Sequence, residues 1–268
     1  MTRTQRPTAT KGISGMTSSR KTALAVGVLF ILTFVTSIAA VFAYGPVLTD
    51  PAYILSANPD TGVFMGAFLE LLLIITNIGC AVVLFPLLKR QNEGLALGYV
   101  TARLVECGFI AVGLLSLLTV ATLANETTSA NAASVVPIGK SLVAMHNWTF
   151  QLGPGFADGI GTGLILGWLM FRSGLVGRRM ALVGVVGGAM LATSGVLVLL
   201  GVIPQGGAVQ GIATIPEIIW EAFLGLYLLF KDFKPSALAA LASDSGDKVK
   251  AATATLSPIT VATQADAA

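Results

Sequence analysis

Residues 61–88 read TGVFMGAFLELLLIITNIGCAVVLFPLL, with Glu70 as the single charge, and Lys89 and Arg90 follow at once. A helix that crosses the roughly 30 Å hydrocarbon core of a bilayer needs about 20 mostly apolar residues. This stretch exceeds that length and has no wide charged face, so it predicts a spanning helix and not a surface amphipathic one. Five further segments have the same character: Thr22 to Ala43, Leu95 to Leu123, Phe150 to Phe171, Met180 to Ile203 and Ile215 to Phe230. The last is short, but Phe233 and the snorkelling Lys231 and Lys234 extend it. The alternating ten-residue strands of a membrane β-barrel are absent.

Composition agrees. Of 268 residues, 54% are hydrophobic and 11% charged, with a mean hydropathy of +0.83. A soluble domain carries about 25% charged residues. Half that proportion leaves too little polar surface to cover a water-soluble globule, and it argues equally against disorder. The chain is therefore expected to be an all-α polytopic transmembrane bundle of six spanning helices, with the lipid bilayer as its surroundings. Expected boundaries are a disordered stretch over 1–19, a membrane domain over 20–233 and a disordered tail over 234–268. The tail is rich in Ala, Ser and Thr and has no aromatic residue.

Charge placement gives the orientation. The net charge is +3, but the basic residues sit at segment ends, so they report topology and not a nucleic-acid partner. Lys140 alone lies in the loops of one side, and Arg103 lies inside a segment. All other Lys and Arg residues fall in the N-terminus, the 89–90 loop, the 172–179 loop and the C-terminal tail. That asymmetry predicts both termini in the cytoplasm. Thr17 to Lys21 leads straight into the first segment, so Met16 is a candidate start. Val41-Phe42-Ala43 would permit signal cleavage, but an apolar stretch of about 22 residues is longer than the usual signal core of roughly 7–15.

Several ionisable residues lie where a charge costs several kcal/mol and normally faces a bundle interior. At about 1.5 Å per residue, Glu70 lies roughly 14 Å from its outer end, Arg103 and Glu106 roughly 12 and 16 Å from their inner end, and Asp158 roughly 12 Å below its outer end. Glu221 enters from outside. Arg103 and Glu106 are i, i+3 and share a face. The second and third segments are joined by a short loop, so Glu70 is expected to meet Arg103, with Asn77 on the face of Glu70. An ion pair that pins two helices is the plainer reading. The sharper one starts from the count: Glu70, Glu106, Asp158 and Glu221 face one arginine. They cannot all be ionised in a low-dielectric core, so at least one is expected to hold a proton. A midplane carboxylate that takes up a proton suits a proton-coupled carrier, and a cation site as well.

Thr214-Ile215-Pro216-Glu217 has the pattern of a helix start, with Glu217 at the capping-box position. Glu217 and Glu221 are i, i+4 and can also share a proton or cation. The outer loops are Tyr44 to Asp60 and Ala124 to about Leu142, and Val135 to Trp148 is a candidate interfacial helix. There Trp148 would sit at headgroup depth. His146, Asn147 and Trp148, with Glu217, are candidates for an outer vestibule, although a lone histidine is more often structural.

Small residues recur at every fourth position: Gly155, Gly159, Gly163 and Gly167 in one segment, and Gly184, Gly188 and Ala192 in the next. Such stripes let helices approach closely. They predict an antiparallel pair, with a homo-oligomer face or membrane partner as the alternative. Gly153-Pro154-Gly155 breaks a helix near Asp158, as at the substrate sites of some transporters, or merely at a helix start. No cofactor is expected. Gly159 to Gly163 is not a dinucleotide fingerprint, since no strand precedes it. His146, Cys80 and Cys107 are too few for a zinc cluster, and the cysteines need no redox role. No nucleophile–base motif is present, which argues against an enzyme; a two-carboxylate mechanism stays open.

Taken together, these residues resemble the bacterial DUF4386 family, a domain of unknown function. The resemblance rests on Glu70 to Leu73, Asn92 to Tyr99, Arg103-Leu104-Val105-Glu106, His146 to Phe150, Leu152 to Gly155, Pro216-Glu217 and Trp220-Glu221. It runs from about residue 20 to 233 and is most specific at 92–99. It implies a multi-helix protein of a bacterial inner membrane and brings no substrate, cofactor or catalytic residue. Family members often carry an acidic residue where Asn147 stands and an apolar one where Asp158 stands, which implies that Asp158 is not a shared group. Two functions compete: a small carrier or permease with a protonatable carboxylate cluster, and a structural or accessory envelope protein whose ion pairs only hold helices together. No internal repeat is visible, which weakens the first slightly.

Overall fold

The computed structural model describes residues 17–50, 52–56, 61–128 and 130–244. Among them there is no strand. The helices are α1 (Ser18–Ala43), the short α2 (Gly45–Thr49), α3 (Thr61–Leu88), α4 (Glu93–Glu126), α5 (Ala132–Leu152), α6 (Gly167–Ser173), α7 (Arg178–Leu199) and α8 (Ala208–Phe230). Two π-helical stretches, Gly153–Ala157 and Gly159–Leu166, connect α5 to α6.

Five helices are long and apolar enough to cross a membrane: α1, α3, α4, α7 and α8. Six were expected. The missing one, over 150–171, is helical throughout but divided between α5, the π-helical turns and α6, so no single apolar helix represents it. The division follows from its sequence. Pro154 has no N–H to donate to the turn behind it, and glycines on either side favour no one helical geometry. The backbone relaxes by one residue per turn: the Asp158 N–H bonds to the Gly153 carbonyl, and the Gly167 N–H reaches back to Thr162. Such widened turns recur at functional sites.

The sixth helix begins earlier than expected. Its N-cap is Gly207 and Pro216 lies inside it, so Glu217 caps nothing and is carried into the core. Thr214 bonds the Gln210 carbonyl within the same helix. At the far end, the tail expected to be disordered from 234 is helical over 235–244, with Ala237 buried on the core. The stretches 1–16 and 245–268 lie outside the described residues.

The long segments close into a ring: α1 packs on α3, α3 on α4, α4 on the π-helical stretch, that stretch on α7, α7 on α8, and α8 back on α1. Outward faces are apolar and exposed, as at Val35, Phe42, Ile75, Leu115 and Phe230, which fits a multi-pass protein in a lipid bilayer. Lipid tails are as apolar as these side chains, so burial does little to hold the ring; close backbone packing and interhelical hydrogen bonds must do it. Both are present. A Cβ on Gly163 would fall 2.3 Å from the Gly188 Cα, and one on Gly27 would fall 2.8 Å from the Leu229 Cα. Gly159 and Gly167 likewise face α7 at backbone distance. The small-residue stripes are therefore turned to each other inside the chain, as the antiparallel pair requires. At one end, the Arg20 guanidinium bonds the carbonyls of Leu228 (2.8 Å), Leu229 (2.6 Å) and Lys231 (2.5 Å). The start of α1 and the end of α8 thus lie together, and Ser19 bonds Asp232 beside them.

Candidate functional site

The ring has a polar centre. Asn92 caps α4 by accepting from the Leu95 N–H, and the helix then carries Arg103 and Glu106 inward on one face. Arg103 is 1% exposed. Its Nη1 donates to Glu106 Oε2 at 2.7 Å and to Asp158 Oδ1 at 2.8 Å, and its Nη2 faces Glu221 Oε1 at 3.5 Å. The Phe30 ring lies 5.9 Å from the guanidinium carbon, close enough for a cation–π contact. Asn77 Nδ2 donates to the other oxygen of Glu106 at 3.0 Å. Thr33 on α1 reaches Thr76 at 3.0 Å and Asn77 at 3.4 Å. One network thus joins α1, α3, α4, the π-helical stretch and α8 around a single cation.

Glu217 stands next to this network without entering it. It is 2% exposed, and neither carboxylate oxygen has a hydrogen-bond partner. A ligand oxygen from each of Asp158, Glu217 and Glu221 lies within 4.8 Å of the others. The slot that holds Glu217 is made by absent side chains: a Cβ on Gly163 would lie 2.5 Å from its Oε2, and one on Gly187 would lie 2.9 Å away. Trp220 fixes the facing backbone by donating from Nε1 to the Thr162 carbonyl at 3.0 Å. Glu106, Asp158, Glu217 and Glu221 therefore surround Arg103 with a surplus of negative charge. Among the described residues, the oxygens of Asp158, Glu217 and Glu221 form a group close enough together to hold a metal ion.

Glu70 is elsewhere. It was expected at Arg103, but it accepts from the Tyr44 hydroxyl at 2.9 Å and lies 3.8 Å from His146 Nε2. The register of α3 against α4 explains this. Asn77 meets Glu106, so Glu70, seven residues nearer the outer end, sits roughly 10 Å higher. That is the level of Gly113, whose missing side chain leaves room for Thr149 and His146. Glu70, Tyr44 and His146 thus form a second cluster, toward the N-terminal end of α3, with the Tyr44 and His146 rings edge to face at 5.6 Å.

The vestibule candidates separate. His146 faces inward, while Asn147 and Trp148 are exposed on α5. The exposed Trp148 suits a headgroup position, and the Asn147 carbonyl accepts from Gln205. Glu217 belongs to the inner cluster and not with them. Sequence reasoning passed over Gln151 and Gln210, which hydrogen-bond at 2.5 Å between α5 and α8. A partial signal was available: Gln210 precedes Glu217 by seven residues, two regular helical turns, whereas the π-helical turn between Gln151 and Asp158 hides the corresponding relation there. Two cavities stand out on the molecule. One of 280 Å³ lies between Tyr53, Val120 and Lys140, and an apolar one of 490 Å³ lies between Ala102, Phe109 and Phe156; no carboxylate of the inner cluster lines either. Cys80 and Cys107 are buried and free.

No curated protein and no solved structure matches this chain. Residues 25–231 match the model of the family described as Domain of unknown function (DUF4386). That span takes in both polar clusters and every long helix except the first seven residues of α1, and the chain belongs to the DUF4386 family.

Proposed function

We propose that this protein is a small carrier of the bacterial inner membrane, crossing it six times with both termini in the cytoplasm. Its inner carboxylate cluster is the site where positive charge, as protons or a cation, is taken up and released. The observation that carries this reading is Glu217: a fully buried carboxylate with two unpartnered oxygens, beside Asp158 and Glu221. Ionisable groups inside spanning helices are rare, and one without a partner points to an ion or proton pathway. The π-helical break at Asp158 adds support, because broken helices at mid-membrane form the binding sites of many carriers. The even number of crossings is supported by Arg20, which ties the start of α1 to the end of α8. The cytoplasmic side is supported by the basic residues at that end.

A structural or accessory role is the second reading. It is favoured by the pairing of Arg103 with three carboxylates and by the absence of those carboxylates from the lining of either cavity. Flux decides between them. The full chain is reconstituted in liposomes loaded with a pH-sensitive dye. A proton gradient is imposed with sodium, potassium, magnesium or calcium chloride outside in turn. A carrier changes luminal pH faster than protein-free liposomes with at least one salt, and Glu217→Gln abolishes the difference. Equal rates with every salt leave the structural role.

A further inference from the structure

We propose that Asp158, Glu217 and Glu221 bind a hard divalent cation of calcium size. The reading deepens the carrier proposal and rests on it only in treating the inner cluster as a working site. Binding is read at equilibrium, without flux.

Geometry comes first. One oxygen from each of the three residues lies within 4.8 Å of the other two. Calcium binds oxygen at about 2.3–2.6 Å, so two of its ligands are at most about 5 Å apart. Three oxygens this close can share one ion of calcium size with no more than a small side-chain adjustment. Magnesium, at about 2.0–2.1 Å and in a strict octahedron, tolerates less departure from its ideal geometry.

Partnering comes second. A buried polar atom without a partner is rare and asks for an explanation, and Glu217 has two. Its slot exists because Gly163 and Gly187 lack side chains: a methyl group on either would strike Oε2 or crowd it. Asp158 and Glu221 are partnered with Arg103 through Oδ1 and Oε1. A carboxylate has two oxygens and about four acceptor positions, so each keeps capacity for an ion.

Charge comes third. Four buried carboxylates surround one guanidinium. Arg103 repels an incoming cation, but even with one of the four carboxylates protonated three negative charges face it, and their attraction outweighs the repulsion at similar distances. Donor chemistry sets the ion class. The three ligand residues offer oxygen alone, with no imidazole or thiolate, which suits calcium, magnesium or manganese over zinc or copper. Glu217 and Glu221 stand i, i+4 on one face of α8, and Asp158 arrives from the π-helical stretch. The ion would therefore tie α8 to the broken segment.

The test uses the full chain in nanodiscs of phosphatidylcholine, whose headgroup carries no net charge. The probe is radiolabelled calcium in equilibrium dialysis at fixed pH. The expected result is one calcium retained per chain above protein-free nanodiscs. Glu217→Gln and Glu221→Gln are each expected to weaken retention by roughly tenfold or more, since affinity follows the charge count of the ligands. Glu126→Gln, exposed at the end of α4, leaves it unchanged. Glu217 makes no hydrogen bond, so its amide variant is expected to fold; helical circular dichroism checks this. Wild-type protein that retains no calcium overturns the proposal whatever the variants do, and so does undiminished retention in a folded Glu217→Gln. Proton flux without calcium binding removes the ion and keeps the carrier. Calcium binding without flux keeps the ion and removes the carrier.

Discussion

Replacing Arg103 with glutamine removes the one cation of the inner cluster while keeping a polar side chain of similar reach. Arg103 is almost fully buried and contacts Glu106, Asp158 and Glu221. Removing one partner of a buried ion pair costs about 3–5 kcal/mol, because the other charge is left uncompensated. Here three carboxylates are left together, which places the loss at the upper end. At about 1.4 kcal/mol per tenfold, the folding equilibrium should fall by roughly a hundredfold to several thousandfold. Glu217→Gln gives the opposite sign. It removes one surplus negative charge and no hydrogen bond, so stability should hold or rise. Both variants are unfolded with increasing sodium dodecyl sulfate in mixed micelles. A calcium chelator is present so that no bound ion contributes, and helical circular dichroism is the signal. If Arg103→Gln unfolds at the wild-type midpoint, the guanidinium is not what holds the carboxylates together. If Glu217→Gln is clearly destabilised, Glu217 has a partner and the charge surplus is not real.

Other substitutions test the packing and the topology. A Cβ on Gly188 would lie 2.3 Å from the Gly159 carbonyl oxygen and 2.6 Å from the Gly163 Cα; Gly188→Ala should cost about 1–3 kcal/mol or more in the same titration. Gly211→Ala meets nothing within 4 Å and should gain up to about 1 kcal/mol from helix propensity. Tyr44→Phe removes the donor to Glu70 and should cost about 1–3 kcal/mol, with the inner cluster's ion binding unchanged. Single cysteines at Ser18→Cys and Gln205→Cys, with Cys80 and Cys107 replaced, should react with a membrane-impermeant maleimide from opposite sides. Labelling from the same side would refute the crossing count.

The sequence made the membrane character and the long apolar segments plain, because crossing a bilayer imposes a length and a composition that few other structures share. Thr61–Leu88 agrees to the residue. The ends of α8 and the fourth segment were harder, for one reason. Proline and glycine signal interruption but not its form. Pro216 fits the pattern of a helix start but lies within a continuing helix, whereas Pro154, which fits either a break near Asp158 or a helix start, lies within a helix that widens. The polar residues at mid-depth were visible as chemistry, but their partners depended on interhelical register. Depth counted from opposite ends of two helices carries the error of both ends, and seven residues of register separate Glu70 from the level of Arg103. Glu217 pairs with Glu221 by its i, i+4 spacing, but the capping pattern supplies a sufficient local reason for it and leaves it out of the count of core carboxylates.

That last displacement connects fold to function. A glutamate at a helix start is satisfied by the backbone and needs no other explanation. Two turns inside α8 it has lost that partner, and the glycines of the neighbouring helices hold it against Asp158 and Glu221. Asp158 reaches the same point from a backbone that Gly153-Pro154-Gly155 has unwound by one residue per turn. A regular α-helix advances each residue by about 100°, so a single extra residue in a turn rotates everything beyond it by a comparable angle. Restoring regular α-geometry there would swing Asp158 away from Arg103 and Glu217 together. Stability alone gives no reason to keep a widened segment that delivers a fourth carboxylate to one cation. The proposed ion, held by one oxygen from each of Asp158, Glu217 and Glu221, would give one.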